Sequence, residues 1–105
     1  MNNSEEYVYR IFRKDEFNDF KALKKFKGND LDSQSGFIHM STSNQVEGTI
    51  ARYFIKEKEI FIIKFKSSAL GPLLRWEESR NSEFFPHFYG VLRFSWIKEI
   101  KKKNL

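Results

Sequence analysis

The chain has no cysteine, which excludes disulfides, thiolate nucleophiles and every zinc site that depends on sulfur. Only His39 and His87 remain as imidazole ligands, and no metal is expected. Proline is limited to two residues and glycine to five, with no fixed repeat period, which argues against solenoids, flexible linkers and low-complexity tracts. No apolar run approaches the roughly eighteen residues of a membrane helix. The opening MNNSEEYVYR carries two acids and lacks the apolar stretch of a secretory leader. The expectation is a cytoplasmic protein without membrane association. P-loop, GxGxxG, GxSxG and HExxH patterns are also missing, so the common nucleotide and hydrolase fingerprints do not apply.

What is present fits one folded domain over residues 1–105. Hydrophobic residues make up 40% and charged residues 31%, ordinary values for a globule. Twelve phenylalanines help bring aromatic content to 17%, and large rings fill a small core with few residues. Nineteen Lys and Arg against fourteen Asp and Glu give a net charge of +5, a balance that favours phosphate-bearing partners.

Alternation of Tyr7, Tyr9 and Ile11 with Val8, Arg10 and Phe12 predicts a first strand. Phe17, Phe20 and Leu23 then recur at helical spacing, with Asp15 and Glu16 early and Lys21, Lys24 and Lys25 late. Gly28-Asn29-Asp30 is expected to end that helix. GFIHMS reads as a strand with Phe37, His39 and Ser41 on one face and Ile38 and Met40 on the other. A capping box from Thr42 to Gln45 opens a second helix, whose apolar stripe is Val46, Ile50, Tyr53 and Phe54. Glu59–Lys66 is the expected central strand, and Leu73–Glu78 a short strand or extended ledge. Pro86 and Gly90 argue against a continuous central strand over Phe84–Leu92. The final strand is placed at Trp96–Lys101. Five or six strands against two helices predict an α+β domain. The lysines at 98, 101, 102 and 103 read as a solubilising tail, not as a nucleic-acid site.

His39 offers a proton carrier or ligand near neutral pH, although a core histidine bonded to backbone is the simpler reading. Ser41 and Thr42 beside a helix start form an anion-ready corner, or only a helix cap. Arg75-Trp76-Glu77-Glu78-Ser79-Arg80 combines two guanidinium forks, an indole and two carboxylates, suited to phosphate, base and ribose, or to a self-paired solvated loop. His87 and Tyr89, after Pro86, could face a cleft or pack as an aromatic corner.

Taken in order, Gly36-Phe37-Ile38-His39-Met40-Ser41-Thr42, Gln45, Arg52-Tyr53-Phe54, Leu74-Arg75-Trp76-Glu77, Ser79-Arg80 and Phe85-Pro86-His87-Phe88-Tyr89-Gly90 resemble the bacterial and plant family called domain of unknown function 952. The match runs from about Tyr7 to the carboxy-terminal strand. This resemblance implies an ADP-ribosyltransferase-like fold, a small split, mostly antiparallel β-sheet with two helices and a cleft for NAD or ADP-ribose. Ile38-His39-Met40-Ser41 and Arg52 are more distantly similar to tRNA 2′-phosphotransferases, whose separate amino-terminal domain has no counterpart here. On this analogy His39 would bond a ribose hydroxyl beside Ser41 and Thr42, and Arg52 and Arg80 would neutralise a diphosphate. Trp76, Phe37 or Tyr89 would stack a ring, Glu77 would stabilise an oxocarbenium-like transition state, and His87 would be a second acid-base group. The implied function is binding of NAD, ADP-ribose or a related phosphorylated nucleotide, with ADP-ribosyl transfer as the enzymatic reading and a non-catalytic binding module as the alternative. NAD is the implied cofactor and a small-molecule nucleotide the implied partner, with nucleic acid as the other partner class.

Overall fold

Along the chain run β1 (Tyr7–Arg13), α1 (Lys14–Leu23), β2 (Lys25–Phe26), α2 (Asp30–Ser35), β3 (Ile38–His39), α3 (Val46–Tyr53), β4 (Glu59–Lys66), α4 (Ser67–Leu70), β5 (Leu74–Glu78), β6 (Phe84–Phe88), β7 (Leu92–Arg93) and β8 (Ile97–Asn104). The computed structural model describes residues 5–105, with the side chain of Arg80 left outside that description. The strands form three sheets in the orders β1-β4-β8, β2-β7 and β3-β6-β5, and the pairings among the described residues are antiparallel.

Glu59–Lys66 is central as its composition predicts, pairing β1 on one side and β8 on the other. Opposite residues share a face, so Val8 and Phe12 stand with Phe65 and Phe61. That face packs on Phe17 and Phe20 of α1 and on Ile38, Met40 and Phe88 of the third sheet. Ile11, Ile60 and Ile62 on the other face pack on Val46, Ile50 and Phe54 of α3. Phe12, Phe20 and Phe65 are fully buried, each worth roughly 1.5–3 kcal/mol relative to exposure.

Several expectations are corrected. Among the described residues there are four helices, not two. α1 stops at Lys24, which adopts a left-handed conformation (φ 66°) and returns its N–H to the Phe20 carbonyl. Leu23, expected in the apolar stripe, is therefore exposed, as is Tyr53 at the end of α3. Gly28-Asn29 does not close α1 but introduces α2, a polar DLDSQS turn and a half that shows no apolar period. What starts it is a reciprocal cap: Asn29 Oδ1 accepts from the Asp32 N–H at 3.1 Å and Asp32 Oδ2 from the Asn29 N–H at 2.8 Å. α4 is a single SSAL turn.

Pro86 lies inside β6, the middle strand of its sheet. It is tolerated because β3 ends there. The Pro86 carbonyl accepts from the Met40 N–H at 3.1 Å, but proline returns no donor, and the chain turns away so that Ser41 and Tyr9 exchange two 2.8 Å backbone bonds. The terminal lysines are not a tail: Lys101, Lys102 and Lys103 belong to β8, with Lys102 paired to Glu59 and Lys103 to Glu47.

Candidate functional site

The two-residue period of β3, β6 and β5 sorts their side chains cleanly. Ile38, Phe88, Leu74, Trp76 and Pro86 lie on the core face, while His39, His87 and Arg75 stand opposite one another on the other face. Trp76 accordingly packs against the core and pairs with Pro86. Phe37 covers both imidazoles, its ring 3.9 Å from His87 in a stacked geometry and 4.7 Å from His39. The two imidazole centroids are 6.0 Å apart.

His39 rests on a buried network that the sequence reading did not identify. Its Nδ1 lies 2.7 Å from Asp32 Oδ1, and its backbone N–H donates to the same oxygen at 3.0 Å. Arg10 donates from Nη1 to Asp32 Oδ1 and to the His39 carbonyl, and pairs through Nη2 with Oδ2, each at 3.0 Å. Burial works against the Asp32 charge, yet the bonds from His39 and Arg10 outweigh it and bring the carboxyl from 3.8 to about 2. An ionised carboxylate only accepts. The proton of the His39–Asp32 bond therefore belongs to Nδ1, and in the neutral ring Nε2 is an acceptor. Arg10 had one legible signal: it shares a strand face with Val8 and Phe12, so a cation on an apolar face requires a buried partner. Nothing in DLDSQS marked Asp32.

His87 is held in the same way from the opposite strand. Its Nδ1 lies 2.7 Å from Glu77 Oε1, reached diagonally from β5, and Tyr89 donates its hydroxyl to that oxygen at 2.7 Å. The Tyr89 and His87 bonds lower the Glu77 pKa, and the same bond raises that of Tyr89. His87 is only 6% exposed against 34% for His39. Burial pushes its pKa below 6.5 against the opposing pull of Glu77. His87 is thus neutral at neutral pH, with Nδ1 donating to Glu77 and Nε2 the remaining acceptor.

Both imidazoles border one cavity of about 420 Å3, where β1 meets β3 and β6. Tyr9, Arg10, Arg13, Ser41 and Thr49 give it a polar wall, and Ile11, Met40, Phe54 and Phe85 an apolar one. Ser41 is buried with Oγ 3.0 Å from the Thr49 hydroxyl. The lining cation beside Arg10 is Arg13, which pairs with Glu16 and Glu57; it was not anticipated either. Phe37, Glu77 and Tyr89 stand behind His87 and do not line the cavity. Thr42 closes its cap with Gln45 at 3.0 Å, and Arg52 lies exposed against the Tyr53 hydroxyl; neither lines the cavity. The Arg80 side chain lies outside the described residues. Among the described residues no cluster of three or more His, Cys, Asp or Glu is arranged to hold a metal. Among the described residues no helix is long and apolar enough to cross a membrane.

A family model described as a protein of unknown function, DUF952, matches residues 11–100. The crystal structure of protein CC0527 from Caulobacter crescentus is similar at 31% identity and a TM-score of 0.87, covering 91% of this chain and 84% of that one. A crystal structure of its double mutant aligns at 30% identity and 0.86 over the same shares. The solution structure of CC0527 aligns at 31% identity and 0.80, over 96% and 85%. No curated protein matches the chain.

Proposed function

The chain belongs to the DUF952 family, whose description assigns no function, and from the geometry of its cavity we propose that it binds a phosphorylated nucleotide of the NAD or ADP-ribose class. One observation carries this reading. His39 and His87 face each other in register, each fixed through Nδ1 on a carboxylate, and both border one cavity. Two Nε2 acceptors on rings whose centroids are 6.0 Å apart suit a ligand rich in hydroxyl donors, such as ribose. The volume lies within the roughly 300–1,000 Å3 of small-molecule sites. Arg13, about a third exposed, keeps Glu16 but can turn from the part-exposed Glu57 to a phosphate. These features fit the ribosyl half of NAD, and an ADP-ribosyltransferase-like fold is the architecture proposed with it.

In the enzymatic reading NAD would supply the ADP-ribosyl group: the C1′–N bond to nicotinamide would break, neutral nicotinamide would leave, and a C1′–O bond to the acceptor would form. His39 Nε2 accepts a ribose hydroxyl and orients the ring. His87, neutral when the acceptor arrives, takes the proton from the acceptor's nucleophilic oxygen on Nε2. Asp32 and Glu77 are positioning residues that hold the two tautomers. The placement of Glu77 favours the non-catalytic alternative: its Oε1 is engaged by His87 and Tyr89 rather than presented to the cavity.

Calorimetric titration with NAD, ADP-ribose and adenosine monophosphate tests the binding claim. Saturable binding, weakened about tenfold or more in His39→Ala, is expected (about 1.4 kcal/mol). Unchanged affinity in folded His39→Ala and His87→Ala would remove the reading. Nicotinamide release separates the alternatives: binding without release with any nucleic-acid or protein acceptor leaves the binding module.

A further inference from the structure

The short β2-β7 ribbon sets Lys25 directly opposite Arg93. Like charges in that position oppose strand pairing, and among the described residues neither has a carboxylate partner. Lys24 and Lys27 flank them. Lys24 lies over the Phe94 ring, and neither forms an ion pair among the described residues. Lys14, Lys64, Lys102 and Lys103 each pair with a glutamate. Of the cations around the ribbon, Lys25 and Lys27 line a groove of about 440 Å3 between α1 and β2, together with Phe20, Phe26 and the exposed Leu23, and Arg93 stands beside it as the cross-strand partner of Lys25. Lys66, Lys98 and Lys101 form no ion pair among the described residues either, but they belong to β4 and β8 and do not line this groove. The carboxylates in this groove are Asp19 and Glu16, and Glu16 is committed to Arg13.

Glu16 and Asn29 also line the histidine cavity, so groove and cavity share a wall. We propose that this groove binds the phosphodiester backbone of a single-stranded nucleic acid and leads one end of the strand toward His39. The final clause rests on the proposed nucleotide function; the groove's charge and shape do not. A row of phosphates supplies the counter-charge that the Lys25–Arg93 pair lacks, while Leu23 and Phe26 offer apolar surface to bases, as single-strand grooves do.

The test is fluorescence anisotropy with a labelled single-stranded RNA of about eight nucleotides, at about 50 and 200 mM salt. The reversal Lys25→Glu, Lys27→Glu and Arg93→Glu should weaken binding at least tenfold. It should also make the log–log salt slope shallower by about 2, from roughly 0.7 per lost phosphate contact on a single strand. The charge-matched control Lys66→Glu, Lys98→Glu and Lys101→Glu should lose markedly less affinity and keep its slope. Equal losses in the two variants would overturn the proposal, as would absent wild-type binding. Displacement of the RNA by polyglutamate as effectively as by unlabelled RNA would overturn it too, assigning the groove to acidic protein segments. Thermal melting confirms that both variants fold, and Lys25→Gln with Arg93→Gln should give an intermediate loss. If nucleotide binding at the cavity fails while the groove reversal still weakens RNA, the cavity reading falls and the groove stands.

Discussion

Two carboxylate–imidazole pairs organise the site, and they differ in what surrounds them. Asp32 is 2% exposed and holds Arg10 and His39 together. Removing it leaves Arg10 charged and buried. Asp32→Ala should cost about 3–5 kcal/mol in urea unfolding, and adding Arg10→Met should recover much of the loss by removing the orphaned charge. The network also sets an acid limit. Its carboxyl is depressed from 3.8 to about 2, so its contribution of about 2 kcal/mol is full above 3.8 and disappears as pH falls toward 2. Asp32→Asn should flatten the stability–pH curve in that window. The lowered pKa of His87 has the same sign at higher pH. Stability is full above 6.5 and falls as pH drops through the folded value, because the unfolded ring takes up a proton that the buried ring resists. Urea midpoints at pH 7.5 and 5.5 should converge in His87→Gln relative to the wild type.

At the scale of elements, the segment before β3 places Asp32. Gly28 has φ +114°, and an added Cβ would sit 2.7 Å from the Asp32 Cβ. Gly28→Ala should therefore cost about 1–3 kcal/mol and disturb His39, seen as a shift of its imidazole resonances absent in a control at Gly48, where a Cβ meets nothing. Elements with a clear period were legible in advance. Glu59–Lys66 is rich in Ile and Phe and forms β4 over that same span, and GFIHMS divides its faces as its alternation predicts. α2 was not legible, because its stability comes from caps and from Asp32 rather than from an apolar stripe. The break expected within Phe84–Leu92 is there, but it falls after Phe88, around Gly90, and not at Pro86, whose missing donor matters only where a neighbouring strand continues, and β3 does not. The site was half legible. His39, His87 and Ser41 reach the cavity. Trp76 does not, because the face of β5 was not known, and Asp32 and Arg13 were missed because their roles depend on contacts distant in sequence.

The whole molecule places the cavity where two sheets meet. The Tyr9–Ser41 bridge joins β1 to the chain leaving β3, and Tyr9, Ser41, His39 and His87 all border the opening. A ligand in it touches both sheets and favours the folded state. At a hundredfold excess over Kd, ADP-ribose should add about 2.7 kcal/mol to the unfolding free energy, raising Tm in the wild type and much less in His39→Ala.

The central claim is that both imidazoles are pinned through Nδ1 and present Nε2 to one ligand. A long-range 1H–15N spectrum of the histidine rings, recorded with and without ADP-ribose, tests it most directly. The account predicts that the neutral form of each ring carries its proton on Nδ1 and that ligand shifts Nε2 of both. A proton on Nε2 in either ring, or ligand shifts that bypass both, would contradict it.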